Sequence, residues 1–266
     1  MNAELLPIIL GMGFPVGRAN LIHAFVGGSA LHGIKLEGHD DLDLYGIFIE
    51  KPEAVLGLER FEHFVTSTAE DSRRNTEKDV DITCYSLRKW AGLAVKGNPT
   101  VVQFLFTPAG IGDVFWSSVL SERQSFLGRS HYHQYAGYAD AQLRRMTGQR
   151  GRGKHGQRPE LQEKNGYNTK AAMHALRLLH EGIELMREGW ITLPCPLNEK
   201  GPLLEVRTGV WSEERVIQEA SRLFAELKEA AAQSKLPEEP DRAAVSRLVT
   251  KTYLQFWVEA QPIDLK

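Results

Sequence analysis

Two groups of residues in the first third of the chain have the types and spacing for joint chemistry. Gly27-Gly28-Ser29 closes an apolar run, and twelve residues after Ser29 comes Asp41-Leu42-Asp43. Strand side chains alternate between faces, so Asp41 and Asp43 project from one face, two residues' rise apart. A carboxylate pair of this kind suits Mg2+ (or Mn2+), which takes one or two protein carboxylates and completes its octahedron with water and phosphate oxygens. The glycine turn is the complement. Without Cβ atoms at Gly27 and Gly28 a triphosphate can approach the main chain, where successive N–H groups and the Ser29 hydroxyl can hold its terminal phosphates. Phosphoryl or nucleotidyl transfer needs a third anionic ligand, so that a second metal can lower the pKa of the attacking hydroxyl while the first steadies the leaving group. Asp79-Val80-Asp81 offers it: Asp81 stands directly before the apolar run Ile82 to Tyr85 and is the expected ligand, with Asp79, on the same face, as the alternative.

Strands must carry these groups. Leu21 to Val26, Leu42 to Ile49 and Val80 to Tyr85 are rich in β-branched, aromatic and aliphatic residues; the first runs into Gly27-Gly28 and the second is stopped by Lys51-Pro52. Helical spacing follows at Leu87, Trp90, Leu93 and Ala94, is ended by Gly97-Asn98-Pro99, and restarts at Pro99. After about residue 125 the strand pattern stops. Tyr132 to Met146, Asn168 to Arg187, Ser212 to Ala232 and Asp241 to Glu259 read as amphipathic helices, with Ser212 and Asp241 as N-caps. The expected fold is α+β with α/β-type layers: a mixed sheet flanked by helices in residues 1–125, then a helical domain in 126–266.

Composition removes other classes. In 266 residues, 42% hydrophobic and 25% charged content is that of a folded globular chain, neither disordered nor fibrous. A formal charge of -2 argues against a surface that coats nucleic acid or acidic membrane as a whole, while leaving room for a local basic patch. Two cysteines, Cys84 and Cys195, are too few for a disulfide framework and fit a reducing compartment, so the expected location is cytoplasmic. Cys84, inside an apolar strand, reads as a buried structural thiol. The amino terminus lacks a basic leader, and the uncharged stretch Leu5 to Gly17 has 13 residues, short of the roughly 20 that span a bilayer. No membrane partner is expected.

Two basic features could meet phosphate. Lys170, His174 and Arg177 share one helix face at i, i+4 and i+7, opposite Ala172, Leu176, Leu179 and Ile183. That face is either a solvated stripe or a surface that neutralises a triphosphate. Between Arg144 and Lys164 seven basic residues stand against two acidic ones; this Gly- and Arg-rich loop could close on phosphates, track an RNA backbone, or serve only solubility. Gly11-Met-Gly13 with Gly17 has the wrong spacing for a dinucleotide fingerprint. His131 and His133, two apart on a helix, fall on different faces and make no metal pair. His32, in the turn, could touch phosphate or merely cap.

The order Gly-Ser, Asp-x-Asp and a later strand Asp resembles the signature of the DNA polymerase beta superfamily of nucleotidyltransferases. Gly27 to Gly46 is similar to the opening of a bacterial and phage branch of predicted members, some associated with RNA repair. The likeness continues through Tyr85-Ser-Leu-Arg-Lys-Trp90, Lys96-Gly-Asn-Pro-Thr100 and Gly166 to Leu179, most of the chain. The resemblance implies a minimal nucleotidyltransferase core and a helical domain closing over an NTP. It implies phosphate-holding Gly28 and Ser29, metal-binding and catalytic Asp41, Asp43 and Asp81, and nucleotide-binding roles for Lys170, His174 and Arg177. The expected reaction transfers an NMP from an NTP to an acceptor hydroxyl, with RNA or tRNA as the acceptor the basic loop favours. The rival readings are transfer to a protein or small molecule, a nucleotide-sensing regulator without turnover, and an adaptor with vestigial carboxylates.

Overall fold

The computed structural model describes residues 5–36, 38, 40–69, 76–107, 111–148 and 164–260. Most of the expected basic loop, residues 149–163, lies outside the described residues. Two compact units are present: Met1–Val95 with Thr107–Phe126 and Asp241–Lys266, and Lys96–Phe106 with Leu127–Pro240. This division is not a single cut near residue 125, because the last helix of the chain joins the first unit and a short early segment joins the second.

The first unit is built on a five-stranded mixed sheet in the order β3-β4-β2-β1-β5. Its strands are β1 (Leu21–Val26), β2 (Leu42–Phe48), β3 (His63–Ser67), β4 (Val80–Ser86) and β5 (Ile111–Gly112). The β2–β4 pair is parallel and the others are antiparallel. Alternation sorts the residues by face. Leu44, Phe48, Ile82 and Cys84 point to one side and pack with Ala24, Phe14 and the buried Leu5, Leu6 and Ile9 of helix α1 (Leu5–Gly11). Burial pushes the Cys84 thiol up to about 12, so it remains an inert packing group at neutral pH. Asp43, Tyr45, Asp81, Thr83 and Tyr85 alternate onto the opposite face.

Ser86 ends β4 and caps α2 (Leu87–Ala94), its hydroxyl accepting from the Lys89 N–H at 3.2 Å. Asp113 caps α3 (Val114–Ser121) in the same way, accepting from Phe115 and Trp116 N–H groups. The last helix, α8 (Arg242–Ala260), starts at the Asp241 cap and fastens just past the end of the central strand β2. There Tyr253 donates its hydroxyl proton to the buried Glu50 carboxylate, and the Trp257 indole donates to the Glu50 carbonyl at 2.8 Å.

The second unit consists mainly of α4 (His131–Met146), α5 (Thr169–Glu188), α6 (Leu197–Thr208) and α7 (Glu213–Gln233). Its central helix, α5, packs against the other three. Asn168 caps α5 through Ala171 N–H at 3.1 Å, and Gly189, at φ 61°, ends it in the left-handed conformation. Ser212 caps α7 as expected. The strands at 21, 42 and 80 and the four long helices stand within a residue or so of their expected bounds, and no strand follows residue 125 among the described residues. The sequence reading passed over β3, β5, α1, α3 and α6.

Candidate active site

Sheet register gathers the acids. Because β2 and β4 run parallel with Asp43 opposite Asp81, both carboxylates emerge at the same end and on the same face. Asp41, just ahead of β2, completes the group: carboxylate oxygens of Asp41, Asp43 and Asp81 lie within 4.8 Å of one another, each half-buried. An all-oxygen donor set suits a hard divalent cation. Like charges held this close repel, and a cation between them relieves that repulsion.

Both glycines of the turn have a steric reason to be there. Gly27 donates its N–H to the Asp43 carbonyl at 2.8 Å, drawing the turn onto β2. A Cβ on Gly28, whose φ is +56°, would stand 1.8 Å from Asp43 Oδ2, and one on Gly27 would stand 2.2 Å from the Tyr45 ring. Any side chain at residue 28 would displace the carboxylate. Main chain and metal-type ligand therefore share one narrow space.

Asp40 is the residue the sequence reading missed. It is buried, and its Oδ2 accepts from the Ser29 hydroxyl at 3.0 Å and from Leu36 N–H at 2.8 Å. The Ser29 hydroxyl has one proton and directs it to Asp40, so its expected donation to a phosphate requires exchange of partners. The signal lay in plain view as three acids in the four residues Asp40 to Asp43, of which only two have the strand spacing that drew attention.

Asp79 and Asp81 stand in different surroundings. Asp79 is buried and accepts from the Thr76 N–H and hydroxyl at 2.6 and 2.8 Å, tying the turn before β4. Asp81 points into the cluster and accepts from the Ser67 hydroxyl of β3. His32 is buried.

Lys170, His174 and Arg177 belong to the second unit, on α5, where they form the less buried stripe opposite Ala172, Leu176 and Leu179. Arg177 has a partner there: its side chain, 13% exposed, pairs with Glu181 at 2.6 Å.

The family model described as RlaP, RNA repair pathway DNA polymerase beta family, matches residues 13–251. No curated protein matches the sequence. Among solved structures, a nucleotidyltransferase-like protein from Exiguobacterium sibiricum 255-15 is similar over 97% of this chain and 80% of its own, at 12% identity and a TM-score of 0.31. A likeness of that size carries no argument. Among the described residues no helix is long and apolar enough to cross a membrane.

Proposed function

Because the chain belongs to the RNA repair pathway DNA polymerase beta family, we propose that it transfers a nucleoside monophosphate from an NTP to a hydroxyl of an RNA acceptor. The observation that carries this reading is the convergence of Asp41, Asp43 and Asp81 at a glycine turn where Gly28 lacks the Cβ that would strike Asp43. In the reaction the acceptor oxygen bonds to the α-phosphorus, the bond from that phosphorus to the bridging oxygen breaks and pyrophosphate leaves with that bond's electron pair, and the acceptor hydroxyl gives up its proton to solvent.

Asp41, Asp43 and Asp81 would hold Mg2+ (or Mn2+), which when bound supplies charge neutralisation at the phosphates and a lowered pKa for the acceptor hydroxyl. The chain does the positioning. Gly27 and Gly28 leave Tyr45 and Asp43 room against the turn, whose further N–H groups can donate to phosphate oxygens. Asp40 fixes the turn through Ser29. Ser67 donates to Asp81 and so sets the direction of the third carboxylate.

The test is incubation of the protein with each α-labelled NTP, Mg2+ and total cellular RNA, beside an Asp41→Asn, Asp43→Asn double variant. Label is expected in RNA with the wild type only, from one NTP in preference. Transfer by the double variant would overturn the assignment of the carboxylates. Nucleotide-dependent thermal stabilisation of the wild type without any transfer would overturn catalysis and leave a nucleotide sensor.

A further inference from the structure

We infer that the open face of β3 and β4 beside Asp81 is an acceptor platform, on which the bases of a single-stranded RNA end stack. This inference rests on the transfer reading above and gives its acceptor a place. Strand order supplies the direction. The glycine turn follows β1 and is bonded to β2 at Asp43, so the triphosphate belongs at the β1–β2 side of the cluster. In the order β3-β4-β2-β1, Asp81 on β4 stands beyond Asp43, and what lies beyond Asp81 is β3. An acceptor that meets the α-phosphorus opposite the leaving pyrophosphate therefore approaches across β3.

The surface there has the chemistry of a base-stacking strip. The β3–β4 register pairs Ser67 with Asp81, Val65 with Thr83 and His63 with Tyr85, so all six side chains share the face of the cluster. Val65 is 61% exposed, whereas the other face of the same strands is core. Beyond it the His63 and Tyr85 rings stack, with centroids 4.7 Å apart and planes at 16°. Burial and the neighbouring Lys89 hold the His63 pKa below its usual value, so near neutral pH the ring offers an uncharged π-face.

The far end of the strip carries positive charge. Lys89 stands beside His63, and Arg88, which also feels the buried Glu50, pairs near the surface with Glu62 at 2.8 Å, a kind of pair that contributes little. Four residue steps along β4 lead from Asp81 to Tyr85, roughly 13 Å at the usual strand rise. That is the length of about four stacked nucleotides at 3.4 Å each. Aromatic rings on an exposed sheet with cations at the margin are what unpaired RNA recognises. Polar Ser67 and Asp81, apolar Val65 and the aromatic pair thus follow one another outward from the reaction centre.

The test measures binding of a fluorescein-labelled, mixed-sequence, single-stranded RNA of about 12 nucleotides to the full chain at low salt, by anisotropy. Three variants of the exposed edge strand are compared with the wild type: His63→Ala, Val65→Glu and His63→Phe. His63→Ala and Val65→Glu are each expected to weaken RNA binding about tenfold and to raise the KM for RNA in the transfer assay. The stabilisation by Mg2+ and NTP should stay unchanged in both. His63→Phe restores a flat ring and is expected to bind as the wild type does, which a purely structural role for His63 would not require. Wild-type RNA affinity in both weakening variants, with transfer intact, overturns the platform and leaves the transfer reading standing. Absence of transfer by the wild type overturns the transfer reading itself, and the platform with it.

Discussion

The two units of this protein treat charge in opposite ways. In the sheet unit, Asp41, Asp43 and Asp81 are like charges held together by strand register. In the helical unit, charges stand in opposite-sign pairs: Arg177 with Glu181, Arg187 with Glu226, and Arg222 with both Glu219 and Glu226. Arg187, Glu219, Arg222 and Glu226 of these pairs line its cavity of about 960 Å3. Opposite pairs neutralise one another and need nothing added. A cluster of like charges is unfavourable until a proton or a cation offsets it. The difference sets the proposed reaction centre apart without reference to residue type, since both units are rich in acids.

The sharpest way to break this comparison is one substitution in each unit. Gly28→Ala would place a Cβ 1.8 Å from Asp43 Oδ2 at a φ of +56°, forcing the carboxylate out of the cluster. Transfer is expected to fall on the order of 10³-fold, several kcal/mol of lost transition-state stabilisation. Arg222→Ala removes two surface ion pairs of the helical unit, each contributing about 1 kcal/mol or less, and is expected to leave transfer unchanged. Equal losses from the two, measured as label incorporated per minute, would show that the paired charges are part of the machinery too.

A smaller effect is expected at Asp40, which accepts from both the turn and the segment entering β2. Asp40→Ala leaves the Ser29 hydroxyl and Leu36 N–H without that acceptor, at about 1–3 kcal/mol. The expected result is a raised KM for NTP, about tenfold, with a lesser change in kcat. Asp40→Asn keeps a carbonyl oxygen for both donors and is expected to restore most of the affinity. If Asn fails as completely as Ala, the negative charge of Asp40 matters and its part is more than positioning.

Legibility in the sequence followed the range of the interactions. Asp41, Asp43 and the glycine turn were readable because period-two alternation and the lack of a Cβ are local properties. The pairing of Asp43 with Asp81 depends on which strands run parallel, and the sequence offers two candidates on one face, of which Asp79 is tied to Thr76. The five residues of β3, His63–Ser67, alternate in burial, yet with a single apolar face and one edge free they produce too weak a pattern to stand out. The return of α8 to the sheet unit was out of reach, since it rests on contacts between Glu50 and Tyr253, 203 positions apart. Arg177 was visible as a cation but its partner was not weighed, although Glu181 one turn later is the ordinary ion-pair spacing.

One corner of the helical unit does hold like charges together, and it shows the other way of tolerating them. Burial, with Glu184 and Glu181 close by, pushes the Glu199 carboxyl up to about 7. A proton takes the place proposed for a cation in the sheet unit. Since the folded-state pKa lies above the usual value of 4.5, folding takes up a proton between those limits. The stability from this site is complete below about pH 4.5 and is lost as pH rises through 7, a difference approaching 3 kcal/mol or so. Glu199→Gln is neutral throughout, so its melting temperature should match the wild type near pH 4.5 and exceed it by several degrees at pH 8. Burial lowers the pKa of His180, which lies 3.7 Å from Glu199 and destabilises the fold as pH drops below 6.5, so the comparison is made in a His180→Gln background that removes this slope. Melting curves that run parallel across this range would mean Glu199 is ionised in the fold, and that the helical unit too holds uncompensated acids.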